Sequence, residues 1–227
     1  IHICQHLVSG QLFSPRPKLF RPYIKSLPLF VFYSSGQDLA SCCKYNIEVI
    51  DAHCHLQEFE DLEAVVSNAS NAGITGMICC GADLESSKKA IEIASKFPSV
   101  WATAGIHPES NDDPLEIENL LNFPKVVAVG ECGLDSDNPQ EESLLKSQLE
   151  LAQKYNLPLV VHNRKQDAKI LKILGNYPKI MLHCFTSDME FMKECVRRGW
   201  YISFGGIVTF KSSHALRETA KAVPENR

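Results

Sequence analysis

Ile47-Glu48-Val49-Ile50-Asp51-Ala52-His53-Cys54-His55 is an apolar run that ends in two histidines two residues apart. On an extended strand residues i and i+2 point to one face. His53 and His55 are therefore expected to project together from the C-terminal end of a strand, with Cys54 turned the other way. Two imidazoles converging on one face suit a metal ion such as zinc. Among eight histidines an H-x-H pair is a weak motif by itself. Its weight comes from the company it keeps further along the chain.

From Ile47 onward strand-length apolar runs recur at Glu48–Asp51, Gly76–Gly81, Val100–Gly105, Val126–Gly130, Leu157–Val161, Ile180–Leu182 and Trp200–Phe204. Between them Asp61–Asn71, Ser86–Lys96, Pro114–Leu121, Glu141–Tyr155, Gln166–Leu174, Met189–Arg198 and Ser213–Lys221 carry apolar residues at three- and four-residue spacing, the helical period. Pro98, Pro124, Pro158 and Pro178 are expected to stop helices just before the next strand. Strand–helix order repeated seven times predicts a parallel sheet covered by helices, or a barrel. Seven units are one short of a TIM-type (β/α)8 barrel, so the fold expected is such a barrel, truncated before strand 8.

In that architecture chemistry gathers where strands end. His53 and His55 close the first run, His107 the third, Glu131 and Asp135 follow the fourth, His162-Asn163-Arg164 the fifth and His183 the sixth. The other histidines, His2, His6 and His214, fall in the leader or a helix. One histidine after a strand is more often a hydrogen-bonded core residue than a ligand; recurrence at one structural level points to metal. Gly130 and Gly133 flank Glu131 closely and allow the backbone to turn its carboxylate inward. A carboxylate among imidazoles can bridge two ions about 3.5–4 Å apart.

Asp51-Ala52-His53-Cys54-His55-Leu56, Gly105-Ile106-His107-Pro108, Gly130-Glu131-Cys132-Gly133-Leu134-Asp135, Gln148-Leu149, Leu157 to Arg164, His183-Cys184-Phe185 and Gly205 to Phe210 together resemble the TatD family, metal-dependent hydrolases and deoxyribonucleases of the amidohydrolase-type barrel. The resemblance runs over residues 47–227. It implies a hydrolase of phosphodiester bonds with DNA as substrate and two divalent ions, Mg, Mn or Zn, as cofactors. It implies that His53 and His55 hold one ion, that Glu131 bridges, that His162 and His183 hold the other, and that His107 lies on the substrate side. Arg164 is a candidate phosphate clamp, Asp135 a candidate for orienting the site, and Lys211 a candidate contact to nucleic-acid backbone.

The chain departs from the family's pattern in four places. Asn163 stands where the family has serine, and Ser136-Asp137-Asn138-Pro139 runs into the next helix where a longer loop is usual. The leader has no counterpart. The family's eighth strand carries an E-T-D segment whose aspartate is a ligand and the water-activating base, and no such segment occurs before Arg227. A truncated copy of a longer protein, with edges at strands 1 and 7, is the resulting expectation. The competing expectations are a metal-binding barrel without catalysis and an amidohydrolase acting on C–N or lactone bonds. Glu131 argues against the latter, since many such enzymes carry a carboxylated lysine there.

Composition limits the remaining choices. A hydrophobic fraction of 44% and a charged fraction of 22% belong to a globular protein. With 23 basic and 27 acidic residues, net −4, no bulk positive charge is available to hold a phosphate. Nine cysteines without a C-x-x-C pair read as reduced, mostly buried thiols of an intracellular compartment, the cytoplasm first, with nucleus or organelle as alternatives. Residues 1–45 carry no acid before Asp38 and several prolines, and Leu27–Tyr33 is too short to span a membrane. They are expected to form a poorly ordered leader ahead of one domain at 46–227. A monomer acting on DNA, away from membranes, is the expectation for partners.

Overall fold

The computed structural model describes residues 49–227; the leader, with His2, His6, Cys4, Cys42 and Cys43, lies outside the described residues. Seven strands, β1 (Val49–Cys54), β2 (Ile74–Cys80), β3 (Val100–Ala104), β4 (Val126–Leu134), β5 (Leu159–Asn163), β6 (Ile180–Leu182) and β7 (Tyr201–Ile202), pair in sequence order. Every pairing is parallel. Helices α1 (Leu62–Asn71), α2 (Leu84–Lys96), α3 (Pro139–Tyr155), α4 (Asp167–Leu174), α5 (Met189–Arg197) and α6 (His214–Ala222) intervene. The segment expected as a helix at Pro114–Leu121 is a 3₁₀ stretch, Pro114–Asn122. Shorter 3₁₀ turns occupy Leu56–Glu58 and Gly206–Thr209. Among the described residues β1 and β7 do not pair with each other, and the Ile202 N–H donates to the Arg227 carbonyl (2.8 Å).

The alternation along each strand sorts side chains into two layers. Outward residues such as Met77, Cys79, Ala102, Leu159, Val161 and Leu182 pack beneath the helices in the large core. Inward residues are few and mostly small: Ala52, Ile78, Cys80, Ala128, Val160 and Met181. A tapering interior leaves room only for such residues.

Helix starts are chemically marked. Asp61, Asp83, Asn138 and Asp188 accept first-turn N–H groups of α1, α2, α3 and α5, which satisfies donors that have no partner within a helix. The ends of α3 and α4 fall at Tyr155 and Leu174 as expected, but the residues that stop them are not the prolines. α3 and α4 stop at Asn156 (φ 55°) and Gly175 (φ 56°), before Pro158 and Pro178 are reached. A left-handed residue ends a helix because its carbonyl and N–H no longer follow the ladder. β7 is shorter than Trp200–Phe204; Trp200, just ahead of it, is fully buried and its indole N–H donates to the Tyr177 carbonyl (2.8 Å).

Three strands run on beyond their expected ends: β5 continues to Asn163 with its pairing to β6 unbroken, and β1 and β4 continue through bulges. Asp51 pairs with Met77 and Cys54 with Cys79, so β1 spends one residue more than β2. Val129 pairs with Leu159 and Cys132 with Val161, so β4 gains one residue on β5. An extra residue shifts the side-chain alternation by one. Ala52 is thus inward and Cys54 outward, with His53 between them. Both bulges lie at the level of the histidines.

Candidate metal centre

Glu131 is the midpoint of the site. It sits inside the β4 bulge, 5% exposed, and its two oxygens face different neighbours. Oε2 lies 3.1 Å from His53 Nε2 and 3.6 Å from His55 Nε2. Oε1 lies 2.6 Å from His183 Nε2, 3.6 Å from His162 Nδ1 and 3.7 Å from His107 Nε2. The His53 and His183 rings stack at 4.0 Å, which closes the site across the mouth. Five histidines from β1, β3, β5, β6 and their following loops converge on one carboxylate.

Gly130 makes this possible. Its φ is +136°, which side chains rarely adopt, and a Cβ there would meet the Val160 carbonyl at 2.6 Å. Gly133 (φ +150°) is tighter still, since a Cβ would stand 1.9 Å from the His162 carbonyl. The Glu131 N–H donates to the Gly81 carbonyl (2.6 Å), which fixes the carboxylate against β2.

The partners of the imidazoles decide which nitrogen faces inward. His55 Nδ1 donates to the Cys80 carbonyl (2.9 Å), leaving Nε2 as the lone-pair atom beside Glu131. His162 Nε2 donates to Asp135 Oδ1 (2.8 Å), leaving Nδ1 as the lone-pair atom. His183 Nε2 is buried without a hydrogen bond, although it is 2.6 Å from Oε1. Lone pairs facing a carboxylate repel unless a proton or cation intervenes, so this donor set fits divalent metal. Outer partners on the second nitrogen are the usual support for a metal-ligating histidine. Two groups have ligand atoms near enough for one ion: His53, His55 and Glu131; and His107, Glu131 and His162. The second differs from the His162 and His183 pair expected from sequence. His107 is set apart by the Glu109 N–H, which donates to its Nδ1 (3.2 Å); the ring proton then belongs on Nε2, the atom facing Glu131.

Electrostatics follow burial. Burial first, then charge on His183, pulls the His53 imidazolium down to about 3, so this ring is neutral at pH 7. Burial opposes ionising Glu131, but the facing His183 and His53 outweigh it, and the carboxyl lies well below the usual range. Burial lowers His162 as well, with His183 adding to it and Asp135 opposing. Burial raises the Cys80 thiol, with Glu131 reinforcing, and takes Cys195 up to about 12, which keeps both protonated. Of the cysteines among the described residues, Cys184 is the one not buried.

Arg164 is mostly exposed at the mouth and is held by Asp135, Nε to Oδ1 at 3.1 Å and a terminal nitrogen to Oδ2 at 3.2 Å. Lys211 is exposed on the turn after Gly206–Thr209. Several supports of the site were not expected from sequence. Glu141, buried, accepts from the Asp135 and Ser136 N–H groups (2.7 and 2.9 Å) and so holds the shortened loop after β4. Its signal was an acid in the first turn of a helix opening with proline. Gln57 donates to the Cys80 carbonyl (2.7 Å) that orients His55. Asn163 in place of serine accepts the Gln166 N–H and donates to Asp167, starting α4.

Comparison with known proteins gives the family of the fold. The family described as TatD related DNase matches residues 50–227. A metal-dependent hydrolase of Bacillus subtilis, YabD, is 32% identical over 196 residues, which cover 79% of this chain and 77% of that protein. The 3'-5' ssDNA/RNA exonuclease TatD of Salmonella typhimurium is 34% identical over 183 residues, covering 74% of this chain and 70% of that one. The solved structure of YjjV, a TatD homologue from Escherichia coli, superposes with a TM-score of 0.71 at 30% identity, covering 78% and 75% of the two chains. A parallel β/α barrel wall that carries histidines and one glutamate at its strand ends, matched over nearly its whole described length, belongs to the TatD related DNase family.

Proposed function

We propose that this chain hydrolyses phosphodiester bonds in single-stranded nucleic acid, DNA above all, using two divalent ions, Mg, Mn or Zn. The observation that carries the reading is the division of labour at Glu131, one oxygen toward His53 and His55, the other toward His162 and His183. In this reading the first pair holds one ion, the second pair the other, and Glu131 bridges. Such ions, when bound, supply an activated water and neutralise phosphate charge. The chain's own residues do the remainder. Asp135 holds the His162 ring, the Nε2 proton of His107 meets a phosphate oxygen, and Arg164 offers its exposed face to the substrate backbone. The relatives named as exonucleases of ssDNA and RNA support the substrate class. No helix among the described residues is long and apolar enough to cross a membrane.

The test is metal analysis of the purified protein, paired with turnover of a labelled single-stranded oligonucleotide, a lactone and a cyclic amide in Mg, Mn or Zn. The expected result is about two ions per chain, lost in His53→Ala/His55→Ala, and cleavage confined to the oligonucleotide. Protein without metal would refute the site. Metal with lactone or amide turnover would reassign the reaction, and metal without turnover would leave a binding protein.

A further inference from the structure

His107 ends a run of three residues, each held by a polar group from outside its own strand, two of them buried side chains. The Gly105 N–H donates to Ser87 Oγ (3.2 Å), and the Ser87 hydroxyl donates to the Gly105 carbonyl (3.3 Å). The Ile106 N–H donates to Gln148 Oε1 (2.8 Å), and Gln148 Nε2 donates to the Ile106 carbonyl (2.8 Å). The His107 N–H donates to the Ala82 carbonyl (2.7 Å). Ser87 on α2 and Gln148 on α3 are both 0% exposed. A buried glutamine that spends both ends of its amide on the backbone N–H and C=O of one residue does what an apolar side chain cannot, because both groups would otherwise lose their partners. It also holds the two peptide groups on either side of Ile106, the second of which leads into His107, as a single hydrogen bond would not.

The consequence is felt one residue on. With Ile106 pinned, His107 enters the mouth in one orientation, its Nδ1 accepts from Glu109, and its Nε2 proton faces Glu131 Oε1 at 3.7 Å. A donor aimed at the centre suits an oxygen of a bound phosphate and not a cation. We propose that Gln148, assisted by Ser87, is a positioning residue that holds His107 as an Nε2–H donor to the substrate's phosphate. The role of the donor rests on the phosphodiesterase reading; the positioning itself does not, and the two are tested by different measurements.

The first measurement is the two-bond proton–nitrogen NMR spectrum of the histidine rings in the full chain, which distinguishes Nδ1–H from Nε2–H. His107 should be Nε2–H in the parent and a mixture of tautomers in Gln148→Met, while the surface residue His214 stays unchanged in both. An Nδ1–H ring in the parent, or an unaltered His107 in Gln148→Met, would overturn the proposal whether or not the protein turns over. The second is hydrolysis of a single-stranded oligonucleotide by Gln148→Met, His107→Ala and the double variant, with metal content measured alongside. Each single change should lower kcat/KM by about tenfold or more at unchanged metal content. The double variant should fall no lower than His107→Ala, because Gln148 then has nothing left to position. Multiplying losses would mean that Gln148 acts elsewhere and would sink the idea. If Gln148→Met does not fold, Gln148→Glu, which keeps the acceptor and the shape, and Ser87→Ala carry the same expectations at smaller size. A correct tautomer in a protein with no nuclease activity would leave the positioning standing and remove the phosphodiesterase reading.

Discussion

Asp135 serves two side chains at once, accepting from His162 through one oxygen and from Arg164 through both. The two dependences differ in kind. His162 is largely buried and needs its outer nitrogen held if the inner one is to face Glu131, whereas Arg164 is solvated and can find water. Asp135→Ala should therefore weaken metal binding by about 10–100-fold. Arg164→Ala should leave it within about twofold, since exposed ion pairs contribute little. Titration of each variant against a metal-chelating dye makes the comparison, and equal losses would show that the pair acts as a unit. His53 carries a pH prediction of its own. Its folded value lies near 3, mainly through burial, against an ordinary 6.5. Between those values the unfolded chain binds the extra proton, so stability rises with pH. The contribution is complete above about 6.5 and lost as pH falls toward 3, and is on the order of a few kcal/mol for a shift of this size. Chelator-treated protein should show its urea midpoint falling from pH 7 to pH 4.5, and His53→Gln should fall less over the same range.

Among the elements, the strands show what a sequence can disclose. Apolar runs and helical spacing placed every strand and α-helix, because burial between two layers is written in periodicity. The ends of β1 and β4 were misplaced, and for one reason. A bulge leaves no periodic trace: the strand continues while its alternation skips, so Asp51-Ala52-His53 and Gly130-Glu131-Cys132 looked like strand ends when the ladder runs through them. The convergence of His53, His55, Glu131, His162 and His183 was legible because each follows an apolar run. The tautomers were not, since they depend on the carbonyl of Cys80 and the carboxylate of Asp135, supplied by neighbouring elements, and on the fold of the loop that turns the Glu109 N–H back onto His107. Lys125 was silent for the same reason. Its ammonium donates to the carbonyls of Ala94, Phe97, Pro98 and Val100 at 2.7–3.1 Å, tying the end of α2 to the start of β4. Lys125→Met should keep the stem packed and leave those acceptors short of donors, at a cost of about 1–3 kcal/mol in urea unfolding. The metal site lies at the opposite ends of the strands, so metal content should not change.

At the scale of the whole molecule, the site is a clasp on the wall of the barrel. Strands β1 to β6 are joined side to side by one ladder, yet the histidines of β1, β5 and β6 reach across the mouth to the same carboxylate on β4. Ions held there would connect elements that the ladder links only through their neighbours. Repulsion among lone pairs and carboxylate oxygens would be relieved in the folded state alone, because the unfolded chain does not gather these groups. Metal present at about 100 times its dissociation constant should then add about 2.7 kcal/mol to stability. For a domain of this size that corresponds to a rise of roughly 5–10 °C in thermal midpoint. Thermal scans in chelator and in Mn²⁺ measure the increment, and His53→Ala/His55→Ala, which removes one side of the clasp, should lose most of it. A full increment in that variant would place the stabilising ion somewhere other than between β1 and β4. A parent insensitive to metal would mean that the converging groups are satisfied by protons alone, and the mouth would then be a histidine–carboxylate network in place of a metal centre.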